Sequence, residues 1–179
     1  MNKPISTTVT IIIIAVVAIL AFIFLNKKFV KQNYAVQVNG VGITKSTVNT
    51  AIAQQLEFYK SQNQQAPNIS TIQESVTNAL IDNALVNQYA AKHNITVSNA
   101  EVNNRYEEAV GVFNSHNNIK GASDSAFLAR INQMYGIDKS EYLASLKMGI
   151  LKDKVQASVG EPLTKWLEGQ RNSSRITVN

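Results

Sequence analysis

From Val9 to Leu25 every position except Thr10 is apolar and none is charged. As a helix those 17 residues would reach about 25 Å, close to the thickness of a bilayer's hydrocarbon core, and Phe29 and Val30 can lengthen the run. The exit, Phe22-Ile23-Phe24-Leu25-Asn26-Lys27-Lys28, offers no small-x-small cleavage site, so an uncleaved transmembrane anchor over Val9–Leu25 is expected rather than a removed signal peptide. The period then changes to two. In YAVQVN, Tyr34 to Asn39, apolar and polar residues alternate as in a half-buried strand, and Asn39-Gly40 is a turn dipeptide.

After Thr44, which reads as a helix cap, the period becomes helical and stays so. Val48, Ala51, Ile52, Gln55, Leu56 and Tyr59 share one face of a first helix. A polar, proline-bearing loop from Ser61 to Asn68 precedes a second helix, which Ser70 and Gln73 open as a capping box. That helix runs to about His93 and is apolar around much of its circumference, with Ile72, Val76, Leu80, Ile81, Leu85 and Val86, so it belongs at the centre of the domain. Ser98 and Glu101 box a third helix, and the polar segment Asn114–Ser123 follows it as a loop. Phe127, Leu128, Ile131, Met134 and Tyr135 mark a short fourth helix ended by Gly136, and Asp138 with Glu141 starts a fifth. Gly160 breaks the fifth, Pro162 enters the first turn of a sixth carrying Trp166 and Leu167, and RITVN, Arg175 to Asn179, returns to strand character.

The fold expected is mainly α: an N-terminal transmembrane helix, then five to six helices closed by a short two-stranded pairing of the first and last segments. A two-stranded ribbon is marginal alone, so it must pack on helices. The domains would be residues 1–31, tail and anchor with a basic flank, and residues 32–179, the helical domain.

Charge changes the picture little. The formal net charge is +5, but Lys3, Lys27, Lys28 and Lys31 all flank the apolar run. From Gln32 onward 13 basic residues stand against 12 acidic ones, which leaves no basic face for nucleic acid. By the positive-inside rule those lysines alone would hold the large domain in the cytoplasm. There is no cysteine, hence no disulfide and no thiolate metal site.

Candidate chemistry is sparse. His93 sits at a helix end and His116 in a polar stretch, with no paired-ligand spacing and no calcium-loop pattern, so neither metal nor cofactor is expected. Glu107 and Glu108 point about 100° apart on a helix and cannot share a proton. Nucleophile elbows, Walker loops and dinucleotide fingerprints are missing, and no enzyme is expected. What remains is a surplus of aromatic and thioether side chains: Phe58, Tyr59, Tyr89, Phe113, Phe127, Met134, Tyr135, Tyr142 and Met148. Core packing accounts for any one of them; as a set they are candidates to line a groove for extended or unfolded peptide, because such side chains adapt in shape.

The order of these elements resembles a known family. AVQVNGVGITKSTV, ALIDNALVNQYAAKHNITVSNAEVNNRY, GIDKSEYLASLKMGILKDKV and WLEGQRNSSRITVN together resemble the peptide-binding chaperone domain of the SurA-type peptidyl-prolyl isomerases and their membrane-anchored relatives, over roughly Ala35 to Asn179. In that family parvulin isomerase domains are inserted before the final helix. Here only Lys154 to Pro162 occupies that interval, far short of the hundred or so residues a parvulin domain needs. The resemblance therefore implies a chaperone-like module without isomerase activity, with unfolded or nascent exported polypeptides as partners. It also implies an extracytoplasmic domain, against the lysine bias; with the anchor expected over Val9–Leu25, the expectation is a single-pass membrane protein. The alternative function is a scaffold for one dedicated membrane or envelope partner.

Overall fold

A computed structural model describes residues 33–117 and 124–179. Tyr34–Asn179 forms one compact unit. Among the described residues it contains three strands, β1 (Tyr34–Val38), β2 (Val41–Thr44) and β3 (Ile176–Val178), and six helices: α1 (Lys45–Ser61), α2 (Ile69–Lys92), α3 (Asn99–His116), α4 (Asp124–Tyr135), α5 (Lys139–Val159) and α6 (Leu163–Ser173).

Two expectations need correction. The anchor expected over Val9–Leu25 lies outside the described residues, and among those described no helix is long and apolar enough to cross a membrane. Even α2, at 24 residues, carries Glu74, Asn78, Asp82 and Asn83 along its length. The described fold is thus six helices with a sheet, not a transmembrane helix plus a helical domain, and the single-pass membrane location is set aside with it. The closing element also differs from the expected ribbon. It is an antiparallel sheet of three strands in the order β2-β1-β3. Val36 pairs with Val178 and Val38 with Ile176, joining the two ends of the domain. The third strand is β2, which folds back on β1 with Val38 opposite Val41.

Asn39 and Gly40 make that hairpin, both with positive φ (52° and 84°), as a two-residue turn matched to the right-handed strand twist demands. Gly42 lies under the Tyr34 ring, which fills the space a Cβ would need. Asn39 also ties the hairpin to α2 and to the C-terminal segment. Its Nδ2 donates to Gln88 Oε1 (2.8 Å) and Ser174 Oγ (3.2 Å), and its Oδ1 accepts the Arg175 N–H (2.9 Å).

The starts of α1, α3 and α5 follow the cap signals, whereas Pro162, expected in the first turn of the sixth helix, is the N-cap residue of α6. Thr44 caps α1, and the Ser98/Glu101 and Asp138/Glu141 boxes cap α3 and α5. The α2 cap is Asn68 rather than Ser70: its Oδ1 accepts from the Thr71 N–H at 2.9 Å, and Ser70 Oγ donates to that same oxygen. Gly160 ends α5 in the left-handed conformation (φ 72°).

The interior is divided into three clusters. Val36 and Val38 of the sheet meet Ile81, Leu85, Val86 and Ala90 of α2, Val155 of α5, and Trp166 and Leu167 of α6. Tyr106 and Val110 of α3 meet Phe127 and Ile131 of α4, with Tyr142, Leu143 and Leu146 of α5 against them. Val48 of α1 meets Ile72 and Val76 of α2. Helix α2 contributes to the first and third clusters and packs on α1, α5, α6 and β1, the central role its wide apolar circumference requires. Arg171 locks α6 to it: Nε donates to Asp82 Oδ1 (2.8 Å), and the guanidinium also reaches Asn78 Oδ1 (3.0 Å) and Asn78 O (2.9 Å). The carboxylate of Asp82 raises the Arg171 pKa further above its ordinary value.

A candidate peptide-binding groove

The second and third clusters do not merge, and a groove of about 520 Å³ runs between them. Helix α2 supplies Val76, Ala79, Leu80 and Asn83, and α1 supplies Ala51, Gln54, Gln55 and Phe58. Tyr135 at the end of α4, Ile137, and Tyr142 and Ser145 of α5 complete the lining. Ala51 and Ala79 are the smallest side chains of the lining, and they leave space that Phe58, Tyr135 and Tyr142 border but do not fill. One end is an aromatic wall, where the rings of Phe58 and Tyr135 stack at 5.4 Å with planes 8° apart.

No side chain in the lining is charged. Its polar groups are three amides, one serine hydroxyl and the tyrosine hydroxyls. Asn83 Oδ1 is buried with no hydrogen-bond partner, a state that costs about 1–3 kcal/mol when left unrelieved. Burial pushes the Tyr142 phenol above its ordinary pKa, helped by the neighbouring Tyr135 and Tyr106 hydroxyls, so Tyr142 is neutral and its O–H is a donor at physiological pH. Among the described residues no group of three or more His, Asp or Glu side chains could hold a metal ion.

The sequence candidates divide. Phe58, Tyr135 and Tyr142 line the groove. Tyr59 touches Phe58 edge to face at 6.0 Å, behind the wall. Met134 is half-buried beside Tyr135 and outside the lining. Phe127 is buried, with Tyr106, Phe113 and Tyr142 edge-on around it. Phe113 also borders a shallow depression on α3 with Arg105, Val112 and His116. Tyr89 is remote from the groove. It packs on Trp166 (5.0 Å) and His93 (4.0 Å) beside the first cluster, where Met148 also lies. A search for large aromatics missed the residues that make the floor: Ala51, Ala79, Gln54, Gln55 and Asn83. One signal was present, since Gln55 falls on the otherwise apolar face of α1, and an amide on an inward face marks a place where polar contact is wanted.

Two ion pairs fix the far half of the domain. Lys139 Nζ bonds Asp124 Oδ2 at 2.8 Å and sits 4.4 Å from the centre of the Tyr106 ring, tying the starts of α4 and α5 to α3. Lys154 of α5 bonds Glu101 at 2.6 Å and the carbonyl of Thr96 at 2.7 Å. That ammonium, with the N–H and hydroxyl of Ser98, holds the Glu101 carboxyl down to about 2.

The family model for the SurA-like N-terminal domain matches residues 4–130, which takes in the sheet hairpin, α1 to α3 and the first half of α4. No curated protein matches the chain.

Proposed function

This chain belongs to the SurA-like N-terminal domain family, and from that premise we propose that it is a chaperone-like module whose groove between α1, α2 and α5 holds a segment of unfolded polypeptide. The observation that carries the reading is the uncharged lining of that groove, where apolar side chains alternate with three amides and two stacked aromatic rings stand at one end. An extended segment buries its apolar side chains there, at about 25 cal/mol per Å² removed from water. Gln54, Gln55 and Ser145 offer hydrogen bonds to its backbone. Asn83 gains most, because turning its unpaired oxygen to a bound N–H relieves a buried acceptor. No bond is made or broken. Only three residues separate α5 from α6, so the position where the isomerases of this type carry their catalytic insert holds none, and the module acts without isomerase chemistry.

The test blocks the groove without touching the core. Ala79 is solvent-exposed on α2 and faces the groove, so Ala79→Phe fills the floor. The full chain is expected to suppress light scattering by an aggregating unfolded protein, and Ala79→Phe, with the same helical circular dichroism, to lose that effect. Scattering unaffected by the wild-type chain, or suppressed equally by Ala79→Phe, refutes the assignment. Tight binding of one folded protein with no affinity for unrelated unfolded peptides favours the scaffold reading instead.

A further inference from the structure

The sheet has two outer strands, β2 and β3. Strand β2 runs directly into α1, but β3 pairs only with β1. The hydrogen bonds Asn39 N–H to Arg175 O and Asn179 N–H to Ala35 O, both 2.9 Å, fix which groups of β3 turn inward. Positions 175, 177 and 179 bond β1, so the N–H and C=O of Ile176 and Val178 turn outward, where they make no hydrogen bond within the described residues. Val178 is also 71% exposed, the most of any large apolar side chain described. At three residues β3 is short, which itself limits pairing at a free edge, but Ile176–Val178 carries no proline, no bulge and no lysine.

We propose that β3 is the interface of a homodimer, pairing antiparallel with β3 of a second copy about a two-fold axis through Thr177. The register is self-complementary. In an antiparallel pair centred on Thr177, Ile176 stands opposite Val178 of the second copy, and both carry the outward-facing backbone groups, so each pair exchanges two hydrogen bonds. Ile176 and Val178 share one face, so the exposed Val178 side chain lies against an Ile176 and is covered. Thr177 meets Thr177 on the opposite face, a favourable cross-strand pair. Arg175 stands opposite Asn179, so no like charges oppose each other. Two three-stranded sheets become one of six strands, and the open β3 edge is removed. The interface is small beside the roughly 800 Å² per partner of a standard complex, so the association is weak and concentration-dependent, and covalent trapping is the right probe.

The chain has no cysteine, so a single introduced thiol can form only an intermolecular disulfide. Thr177 would be a non-hydrogen-bonded pair with Cα atoms about 4.5 Å apart, within the disulfide range of about 4.4–6.8 Å. Under mild oxidation the full chain with Thr177→Cys is expected to give a covalent dimer on a non-reducing gel, at least five-fold above Glu107→Cys on the exposed face of α3. Adding Val178→Pro should abolish it, because proline removes only an outward N–H and leaves the bonds to β1 intact. If Val178→Pro lowers the helical circular dichroism, Val178→Lys replaces it and sets a charge against the apolar Ile176 of the second copy. Cross-linking no greater than that of Glu107→Cys overturns the proposal, as does cross-linking that survives both Val178 variants. Protection of the Ile176 and Val178 amides from exchange by an unfolded peptide, without Thr177→Cys cross-linking, also overturns it and gives the edge to an extended client.

Discussion

Replacing Arg171 by alanine tests the claim that its guanidinium adds a polar clamp to the apolar contacts by which α6 packs on α2. Arg171 makes a bond of 2.8 Å to Asp82 and bonds of 2.9 and 3.0 Å to Asn78. The side chains of Arg171 and Asp82 are 31% and 23% exposed, so neither is fully screened by water nor fully desolvated. Hydrogen bonds to charged groups contribute about 1.5–3 kcal/mol each when buried, and exposed ion pairs contribute less than about 1 kcal/mol. Arg171→Ala also leaves the Asp82 carboxylate half-buried without its partner. Taking the partial exposure into account, the loss should be about 2–3 kcal/mol, equivalent to about 5–10 °C in Tm for a domain of this size and roughly 1 M in urea midpoint. Arg171→Lys should recover less than half, since an ammonium cannot span Asp82 and both Asn78 acceptors in one plane. Urea unfolding of the full chain followed by circular dichroism measures the loss, and a cycle with Asp82→Ala isolates the pair, with a coupling of at least about 1 kcal/mol expected. An Arg171→Ala chain within about 0.5 kcal/mol of wild type, or zero coupling in the cycle, refutes the clamp.

Three further outcomes follow from the same packing. The folded-state carboxyl of Glu101 titrates near 2 instead of its ordinary 4.5. Its contribution to stability is therefore complete above the unfolded-state value and disappears as the pH falls from about 4.5 toward 2, and Glu101→Gln should flatten that part of a stability-against-pH curve. Gly42→Ala puts a methyl group into the Tyr34 ring and should cost about 1–2 kcal/mol. The cost should largely vanish in a Tyr34→Ala background, and an equal cost in both backgrounds, read from thermal melts, would exclude the ring as its cause. Val86→Ala empties a site of zero exposure between the sheet, α5 and α6 and should cost about 2–3 kcal/mol, whereas Val112→Ala at an exposed position of α3 should change the unfolding midpoint negligibly.

The sequence by itself determined where most helices begin and end and which strands close the domain. Thr44, Ser98 with Glu101, Asp138 with Glu141, and Gly160 act within four residues of themselves, satisfying backbone groups that a helix end leaves bare, so they are legible without the fold. At α2 the cap is Asn68, two residues before the Ser70 that the sequence pointed to. The second strand was hidden for a different reason. Asn39-Gly40 is a strong hairpin signal and Val41, Ile43 and Thr44 favour strand, but Gly42 interrupts them, and its place there is explained by the Tyr34 ring that lies over it. Tertiary structure alone decided that the core divides into three, that Phe58 meets Tyr135 from 77 residues away, and that Tyr89 and Met148 pack beside Trp166 instead of joining them. A groove is the space that packed helices leave between them. Its lining depends on the distances between elements far apart in the chain, and its smallest residues, Ala51 and Ala79, carry no sign of it in their own neighbourhoods.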